Sequence, residues 1–239
     1  MRLDRYLVEK GYFESRNRAI DAIKRGKIFV DGKAAKASML CDDNTQIDID
    51  SEKFYVSRAA KKLELFLQEY PLALTGKTAL DIGSSTGGFV QILLEHGVDS
   101  VTAVDVGSHQ LHATLRDNPK VHLYEETDIR TFQPAQPFEI VTCDVSFISI
   151  LQIIDDLNRL SGGDMILLFK PQFEVGREVK RDSRGVVVNQ HAITEAQERF
   201  EAKASAFGWK LCYSSPSQLA GKSGNIEYIY HFRKYGTDQ

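Results

Sequence analysis

The sequence predicts a doubly wound α/β domain that follows a small, basic N-terminal domain. Three observations support this prediction. From Tyr55 onward, apolar runs of strand length alternate with segments of helical periodicity. Within that region, the segment 79–90 (ALDIGSSTGGFV) joins two apolar runs through a glycine-rich turn. Residues 1–40 carry a net charge of +5, which leaves −8 for the rest of the chain.

Size and cysteine content narrow the class of protein. With 239 residues, the chain is long enough for one α/β domain and a small appendage. Its cysteines, Cys41, Cys143 and Cys212, lie far apart and lack the spacing of a zinc site or a disulfide framework. No apolar run approaches the roughly 18 residues needed to span a bilayer, and no signal peptide is evident. We therefore expect a cytoplasmic protein without stable membrane insertion.

Residues 1–50 are predicted to form two short helices and a hairpin. An apolar stripe from Leu3 to Val8 marks the first helix, and Ser15 can cap the second. A strand at 28–30 and the turn Asp31-Gly32 predict the hairpin, the acidic stretch 42–50 closes the unit, and residues 51–57 are the expected linker. The basic side chains that project from this unit indicate either a face that binds a polyanion or a solvated face without a partner. They are Arg16, Arg18, Lys24, Arg25, Lys27 and Lys33.

This N-terminal unit resembles the α-L motif, a small RNA-binding module named for a small-subunit ribosomal protein. The resemblance rests on RLDRYLVEKG at 2–11, on SRNRAIDAIKRGKIFVDG at 15–32, and on Lys33. It implies that the basic side chains of the helix and hairpin bind RNA phosphates, largely by shape and charge.

Residues 58–235 are predicted to form the α/β domain. The expected strands are at 78–82, 100–104, 121–124, 140–143 and 164–169, with two closing strands at 210–214 and 227–233. The expected helices are at 59–70, 87–96, 108–116, 148–160 and 190–207. Ligands of such a sheet lie across the carboxyl ends of the strands, so residues there are the main candidates. The Gly- and Arg-rich loop 176–189 is a candidate substrate flap.

The glycine-rich turn is the first candidate ligand site. Its residues are Gly83, Ser84, Ser85, Thr86, Gly87 and Gly88, with Phe89 directly after them. The turn departs from the dinucleotide fingerprint G-x-G-x-x-G at the second glycine, and the adjoining Asp81 would repel a pyrophosphate. A cationic ligand such as S-adenosylmethionine fits better than NAD or ATP. The alternative is an ordinary tight turn between a strand and a helix.

Four acids stand at or just after the ends of predicted strands: Asp81, Asp105, Asp128 and Asp144. Asp105 lies 22 positions after Gly83, about the spacing at which an acid hydrogen-bonds ribose hydroxyls. Asp128 could accept a hydrogen bond from an adenine amino group while Ile129 packs on the ring. Each acid could instead cap a helix or form a turn.

Lys170 follows the apolar run MILLF at the rim of the fifth predicted strand of the α/β domain. An ammonium group at such a rim must be solvated, paired or neutralised, and Asp144 on the neighbouring strand end is the expected partner. A lysine acts as a base only after it loses its proton, and burial beside a cationic cofactor favours that loss. The alternative is a structural ion pair.

The set Lys62, Asp144, Lys170 and Glu227 resembles the Lys-Asp-Lys-Glu tetrad of FtsJ-like ribose 2′-O-methyltransferases. The flanking segments YVSRAAKKLE, LDIGSSTGGFVQILLEHG, VDVG, CDVSFIS, LLFKPQFEVG, RGVV and GKSGNIEY resemble the TlyA, or hemolysin A, family over nearly the whole chain. The resemblance implies a Rossmann-like class I methyltransferase sheet. It also implies 2′-O-methylation of cytidine in ribosomal RNA with S-adenosylmethionine as cofactor.

The resemblance also implies residue roles. Lys170 would deprotonate or orient the 2′-hydroxyl, Asp144 would hold Lys170, and Lys62 with Glu227 would complete the network that places the ribose, without a metal. Lys62 is preferred to the adjacent Lys61 because it directly precedes the Leu-Glu of the family's SRxxxKLE pattern. Short members of the family are associated with large-subunit RNA alone, so the short chain favours 23S ribosomal RNA, with 16S as a further candidate.

Two other functions stay open at this point. A ribosome-assembly factor would bind RNA without catalysis, although the tetrad positions and the glycine turn are present together. A membrane-active hemolysin would need an apolar spanning helix or a long amphipathic segment, and neither is evident. The expected partners are ribosomal RNA or ribosomal subunits, and the sequence carries no signature of oligomeric state.

Overall fold

The computed structural model describes residues 1–42, 44–49 and 55–235. The chain divides into two compact units, Met1–Phe54 and Tyr55–Gln239. Of the linker predicted at 51–57, residues 51–54 lie outside the described residues.

The N-terminal unit combines two helices with a three-stranded antiparallel sheet. Its elements are α1 (Leu3–Glu9), α2 (Arg16–Lys24), β1 (Ile28–Val30), β2 (Lys33–Ala34) and β3 (Ile47–Ile49), and the strand order is β2-β1-β3. Ser15 caps α2, because its Oγ accepts a hydrogen bond from the Arg18 backbone N–H at 3.4 Å. Leu3, Leu7 and Ile28 are fully buried in the core that the helices share with the sheet.

The strand β3 lies inside the acidic stretch 42–50, for which the sequence analysis predicts no strand. Its register pairs Ile47 with Val30 and Ile49 with Ile28, while Asp48 between them is exposed. The alternation of apolar and acidic side chains is what a half-buried strand requires. This alternation, and not the acidic composition, determines the local structure.

The second unit contains the remaining described elements. Its strands are β4 (Thr78–Ile82), β5 (Ser100–Val104), β6 (Val121–Tyr124), β7 (Phe138–Cys143), β8 (Ser161–Phe169), β9 (Trp209–Pro216) and β10 (Tyr228–Lys234). Its helices are α3 (Arg58–Glu69), α4 (Gly88–Glu95), α5 (Ala113–Arg116), α6 (Ile154–Leu160), α7 (Pro171–Glu174) and α8 (Gln190–Ala206), with a 3₁₀ turn at Ile150–Gln152.

These strands form one seven-stranded sheet in the order β6-β5-β4-β7-β8-β10-β9. β4 to β8 are parallel to one another, whereas β10 is antiparallel to both β8 and β9. The chain order reverses between β4 and β7, so the carboxyl ends of β4, β5, β7 and β8 surround the switch point of the sheet. The prediction of a doubly wound α/β fold is confirmed.

Apolar side chains cover both faces of this sheet. Leu80 and Val141 belong to the core that includes α6 and α8, while Ala79 and Ile140 belong to the core that includes α3 and α4. Neighbouring residues on one strand point to opposite faces, so each strand supplies both cores. Full burial of a large aliphatic side chain contributes about 1.5–3 kcal/mol, and the two cores hold the strand ends rigidly in place.

Several element boundaries differ from the prediction because side chains bind backbone N–H groups. α5 begins at Ala113 and not at 108, since the Gly107 N–H donates to Asp105 Oδ1 (2.7 Å) and the chain continues as a loop. The helix predicted at 148–160 is divided, because the Ile150 N–H donates to Glu174 (2.8 Å) and a 3₁₀ turn precedes α6. β8 begins at 161 and not at 164, and the four-residue α7 is not predicted.

Candidate active site

The glycine-rich turn leads from β4 into α4. Gly83 and Gly87 have φ angles of 77° and 89°, in the left-handed region that favours glycine. The turn is closed by a hydrogen bond of 2.7 Å from the Gly87 N–H to the Ser84 carbonyl oxygen. The following side chain, Phe89, is buried in the core and also lines the cavity in front of the turn.

Two glycines of this turn admit neighbouring protein segments. A Cβ atom at Gly88 would lie 2.7 Å from the backbone nitrogen of Ala60 and would also meet Ser57 Oγ. A Cβ atom at Gly83 would lie 3.0 Å from the carbonyl oxygen of Asp144. The turn therefore brings the start of α3 and the end of β7 to the same place, a close approach that the motif alone does not reveal.

Asp81 lies on β4 beside this turn and is 1% exposed. Its Oδ1 accepts a hydrogen bond of 2.7 Å from Thr142 Oγ1 on the adjacent strand β7. Burial raises the pKa of Asp81 to about 7, with smaller upward effects from Asp144 and Asp105, and the Thr142 hydrogen bond opposes them. A cationic ligand would stabilise the ionised carboxylate.

Asp144 and Lys170 form the ion pair that the sequence analysis expects. Asp144 directly follows β7 and Lys170 directly follows β8, and Lys170 Nζ lies 2.5 Å from Asp144 Oδ1. Lys170 Nζ also donates a hydrogen bond of 2.9 Å to Ser146 Oγ. Because an ammonium group has three N–H donors, these two contacts leave one for another acceptor.

Lys62 and Glu227 form a second buried ion pair, through Lys62 Nζ and Glu227 Oε2. Lys62 lies on α3 and is 8% exposed, and Glu227 directly precedes β10 and is 3% exposed. The second carboxylate oxygen of Glu227 accepts a hydrogen bond of 3.2 Å from Gln172 Nε2. The neighbouring Lys61 is exposed, so the structure places Lys62 and not Lys61 at the site.

One cavity of about 420 Å³ connects the lysines to the glycine-rich turn. It is lined by Lys62, Asp81, Asp144 and Lys170, together with turn residues 83–86 and 88 and with Phe89. The side chains come from four separate segments of the chain. The cavity thus brings together two paired lysines and a buried acid, which suits a hydroxyl acceptor next to a cationic ligand.

A second cavity, of about 590 Å³, lies beside the first and shares Gly83, Ser85 and Asp144 with it. Asp105, Asp128 and Ile129, the residues predicted to bind ribose and adenine, line this second cavity. The shared residues show that the two cavities are adjacent.

Both acids of the second cavity already have backbone partners. Asp105 accepts hydrogen bonds from the N–H groups of Ser85 (2.8 Å) and Gly107 (2.7 Å). Asp128 accepts from the backbone and guanidinium of Arg130, and these hydrogen bonds lower the pKa of Asp128 to about 2. Both side chains therefore help to hold the wall of the cavity in place.

Two buried hydroxyls at the first cavity have no hydrogen-bond partner among the described residues. They are Ser57 Oγ, at the start of α3, and Ser84 Oγ, in the glycine-rich turn. A buried polar atom without a partner is costly. Both hydroxyls are therefore suited to a polar ligand group at this end of the site.

The basic residues predicted in the N-terminal unit have different surroundings. Arg16 Nη2 lies 2.6 Å from Asp4, which is fully buried, so Arg16 also has a structural role. Arg18 pairs with Glu14 (3.4 Å) and Arg25 with Asp21 (2.9 Å), both at the surface. Lys24 and Lys33 are exposed, and Lys27 is half-buried.

Several site residues are not identified by the sequence analysis. Thr142, Ser146 and Gln172 contact the predicted acids and lysines directly, and each follows or precedes a predicted residue by only two positions. Phe147 is 92% exposed, has a φ of 67° and lines the second cavity. Such backbone strain at a non-glycine residue is typical of functional sites. Thr142 could have been identified from the sequence, because it is a polar residue inside an apolar strand.

Two classes of feature are not found in the part of the chain that the structure describes. No group of three or more His, Cys, Asp or Glu side chains there could hold a metal ion. No described helix has the length and apolar character needed to cross a membrane.

Comparison with protein families gives two matches. Residues 55–234 match the FtsJ-like methyltransferase family, and residues 1–47 match the S4 domain.

Individual proteins also resemble the chain over most of its length. It is 44% identical to the 23S rRNA (cytidine-2′-O)-methyltransferase TlyA of Campylobacter jejuni, with 98% of this chain and 100% of that protein covered. It is 36% identical to the 16S/23S rRNA (cytidine-2′-O)-methyltransferase TlyA of Mycobacterium tuberculosis, with 97% and 89% covered. A solved structure from Streptococcus thermophilus is 33% identical and has a TM-score of 0.73, with 99% and 89% covered.

Proposed function

Because the chain belongs to the TlyA, or hemolysin A, family of FtsJ-like methyltransferases, we propose that it methylates the 2′-hydroxyl of a cytidine in ribosomal RNA. S-adenosylmethionine would be the methyl donor. The observation that carries this proposal is the single cavity in which Lys62, Asp144 and Lys170 meet the glycine-rich turn. The relatives named above supply the class of acceptor.

The residues present fit S-adenosylmethionine. Asp105 and Asp128 would hold the ribose and adenine, and the unpartnered hydroxyls of Ser57 and Ser84 would bind the polar amino-acid end. The buried Asp81 would, in its ionised form, favour a positively charged ligand. The bound cofactor supplies an electrophilic methyl group on a sulfonium centre.

The chain's own residues would prepare the acceptor. Asp144 and Ser146 fix the position of Lys170 Nζ at 2.5 and 2.9 Å. Lys170 Nζ would then orient the 2′-hydroxyl oxygen, and the amine form of Lys170 would take the proton that this oxygen loses. Lys62, paired with Glu227, would place the ribose. Positioning and electrostatics account for most of the catalysis in such a reaction.

The N-terminal unit would supply RNA affinity. Its match to the S4 domain and its exposed Lys24 and Lys33 support binding of RNA phosphates. We propose large-subunit (23S) ribosomal RNA as the principal substrate, since the C. jejuni relative is named for 23S rRNA. Small-subunit 16S RNA is the second substrate to be tested.

The decisive experiment is methyl transfer in vitro. The protein would be incubated with radiolabelled S-adenosylmethionine and with unmodified large subunits, small subunits and free ribosomal RNA, and the labelled nucleotide would be mapped. We expect transfer to a cytidine ribose, and we expect Lys170→Ala to abolish it while cofactor binding persists.

Absence of transfer to every RNA, despite tight RNA binding, would instead support a ribosome-assembly factor. Transfer at the normal rate by Lys170→Ala would contradict the role assigned to Lys170.

A further inference from the structure

Two basic side chains at the mouth of the first cavity, Arg58 and Lys222, have no role in the chemistry described above. Arg58 is the first residue of α3, four positions before Lys62. Lys222 lies five positions before Glu227 in the loop that precedes β10. Both residues are exposed and line the first cavity, and Lys222 also lines the second. They therefore stand where the two cavities open to solvent.

The loop that carries Lys222 is well anchored. Arg58 Nη2 donates a hydrogen bond of 3.1 Å to the carbonyl oxygen of Ala220, two positions before Lys222. The Gly221 N–H donates to the Asn225 carbonyl oxygen at 2.8 Å, and the Asn225 side chain accepts from the Val187 N–H at 3.0 Å. The guanidinium of Arg58 is thus linked to the loop that carries Lys222 through a backbone carbonyl oxygen, and this contact leaves its positive charge without a carboxylate partner.

The charges of these two residues are not neutralised within the described part of the chain. Neither Arg58 nor Lys222 forms an ion pair with a described carboxylate, whereas Lys62 and Lys170 are each paired with a buried acid. The two lysines inside the cavity are therefore each compensated by an acid, whereas the two cations at its rim have no carboxylate partner among the described residues. A guanidinium with one of its five N–H donors in use retains the others for an anion.

We infer that Arg58 and Lys222 form a phosphate-binding rim that holds the phosphodiester groups next to the acceptor nucleotide. The inference rests on the proposed function, since every ribose of an RNA chain lies between two phosphates. A ribose that reaches Lys170 places its flanking phosphates at the mouth of the cavity. The methyltransferase unit would thereby contact RNA phosphates itself, in addition to the contacts of the N-terminal unit.

The test uses the full chain and the variants Arg58→Gln and Lys222→Gln. Lys210→Gln is the matched control, because Lys210 is exposed but lies on β9 at the end of the sheet remote from Lys170. RNA affinity would be measured by fluorescence anisotropy over a series of salt concentrations, with an unmodified transcript of large-subunit ribosomal RNA. We expect each variant to reduce the slope of log K against log salt by about 0.7, the value for one lost phosphate contact with a single strand.

Two further measurements separate this inference from its alternatives. Cofactor affinity, measured by calorimetry without RNA, should be the same in both variants as in the unaltered protein. A tenfold loss of this affinity in either variant would mean that the two cations bind the carboxylate of the cofactor and not RNA phosphates. For methyl transfer, KM for RNA should rise while kcat at saturating RNA stays within about twofold.

An unchanged salt slope in both variants overturns the inference. Failure of the unaltered protein to transfer methyl would count against the proposed function, and the binding series would still decide the role of the rim.

Discussion

Lys62 and Glu227 are joined by a buried ion pair although they are 165 positions apart in the chain. The pair connects α3, at the start of the second unit, to the residue that directly precedes β10, near the end of that unit. Both side chains are less than a tenth exposed, so each charge depends on the other for compensation.

Removal of one partner of this pair should destabilise the protein strongly. We expect Lys62→Met to lower the free energy of unfolding by about 3 to 5 kcal/mol, because it leaves Glu227 as a buried charge without a cation. The double variant Lys62→Met/Glu227→Leu should recover most of that loss but transfer no methyl groups. Urea denaturation and methyl transfer would check both expectations. If Lys62→Met were as stable as the unaltered protein, the ion pair would have to be solvated and not buried.

Cofactor binding should depend on pH through Asp81, whose pKa burial raises to about 7. A cationic cofactor binds the ionised carboxylate, so we expect its affinity to fall by up to about tenfold per pH unit below that pKa. Calorimetry between about pH 6 and pH 8 without RNA measures this effect. The Asp81→Asn variant should bind more weakly and without this pH dependence.

The same carboxyl affects stability in the ligand-free protein. Its folded pKa lies above its ordinary value of 3.8, so the folded state binds the proton more tightly than the unfolded state. Stability contributed by this group is therefore fully present below 3.8 and is lost as the pH rises to about 7. Asp81→Asn should remove that decline in a pH series of thermal melts.

Gly88→Ala should disturb the site by displacing α3 from the glycine-rich turn. The added Cβ would meet Ser57 Oγ and lie 2.7 Å from the backbone nitrogen of Ala60, and this nitrogen cannot move independently of the helix. We expect at least a tenfold loss of cofactor affinity. Gly162→Ala is the control, because its nearest neighbours lie at 3.5 Å and its φ is ordinary. Equal behaviour of the two variants would contradict this packing argument.

Asp164 should stabilise the sheet at the end opposite to the active site. It accepts hydrogen bonds from His231 (2.8 Å), Arg233 (2.7 Å) and Lys77 (3.0 Å). Burial alone would raise the pKa of Asp164, but these contacts outweigh burial and hold it below its ordinary value. Its stabilising effect is therefore present above the ordinary value and is lost as the pH falls.

We expect Asp164→Asn to lower the free energy of unfolding by about 2 kcal/mol at neutral pH. Below neutral pH, the free energy of unfolding of this variant should fall less steeply with decreasing pH than that of the unaltered protein. The rate of methyl transfer should be unchanged, because Asp164 lies near the start of β8 and Lys170 directly follows its other end. Chemical denaturation at several pH values measures the first effect.

Arg16 should behave differently from the other basic residues of the N-terminal unit. Its guanidinium pairs with the fully buried Asp4, so Arg16→Gln should lower both thermal stability and RNA affinity. Lys24→Gln and Lys33→Gln should lower RNA affinity alone, since both side chains are exposed. Thermal melts and RNA binding on the three variants would show the difference. A fully stable Arg16→Gln variant would leave Arg16 with RNA binding as its sole role.

Features with a local pattern could be predicted from the sequence. The strands at 78–82, 100–104 and 121–124 have the predicted bounds, because each is a short apolar run between clear turn signals. The ion pair between Lys170 and Asp144 is also expected, since each residue follows a strand of the same sheet.

Features that depend on distant partners could not be predicted in the same way. Only the family resemblance indicates that Lys62 and Glu227 belong to one network, because no sequence pattern near either residue identifies the other as its partner. The hydrogen bond from Thr142 to Asp81 depends on the register between β4 and β7, which sequence spacing does not determine. The close approach of Gly88 to α3 likewise depends on packing between elements.

The position of β10 in the sheet has a consequence for synthesis of the protein. β10 is the last strand in the described chain, yet it lies between β8 and β9 and pairs with both. While the ribosome is still making the chain, β8 and β9 are complete but lack the strand that joins them. The sheet can close, and Lys62 can meet Glu227, only after residues 227–234 have left the ribosome. An RNA-modifying site of this design becomes competent only after translation of these residues.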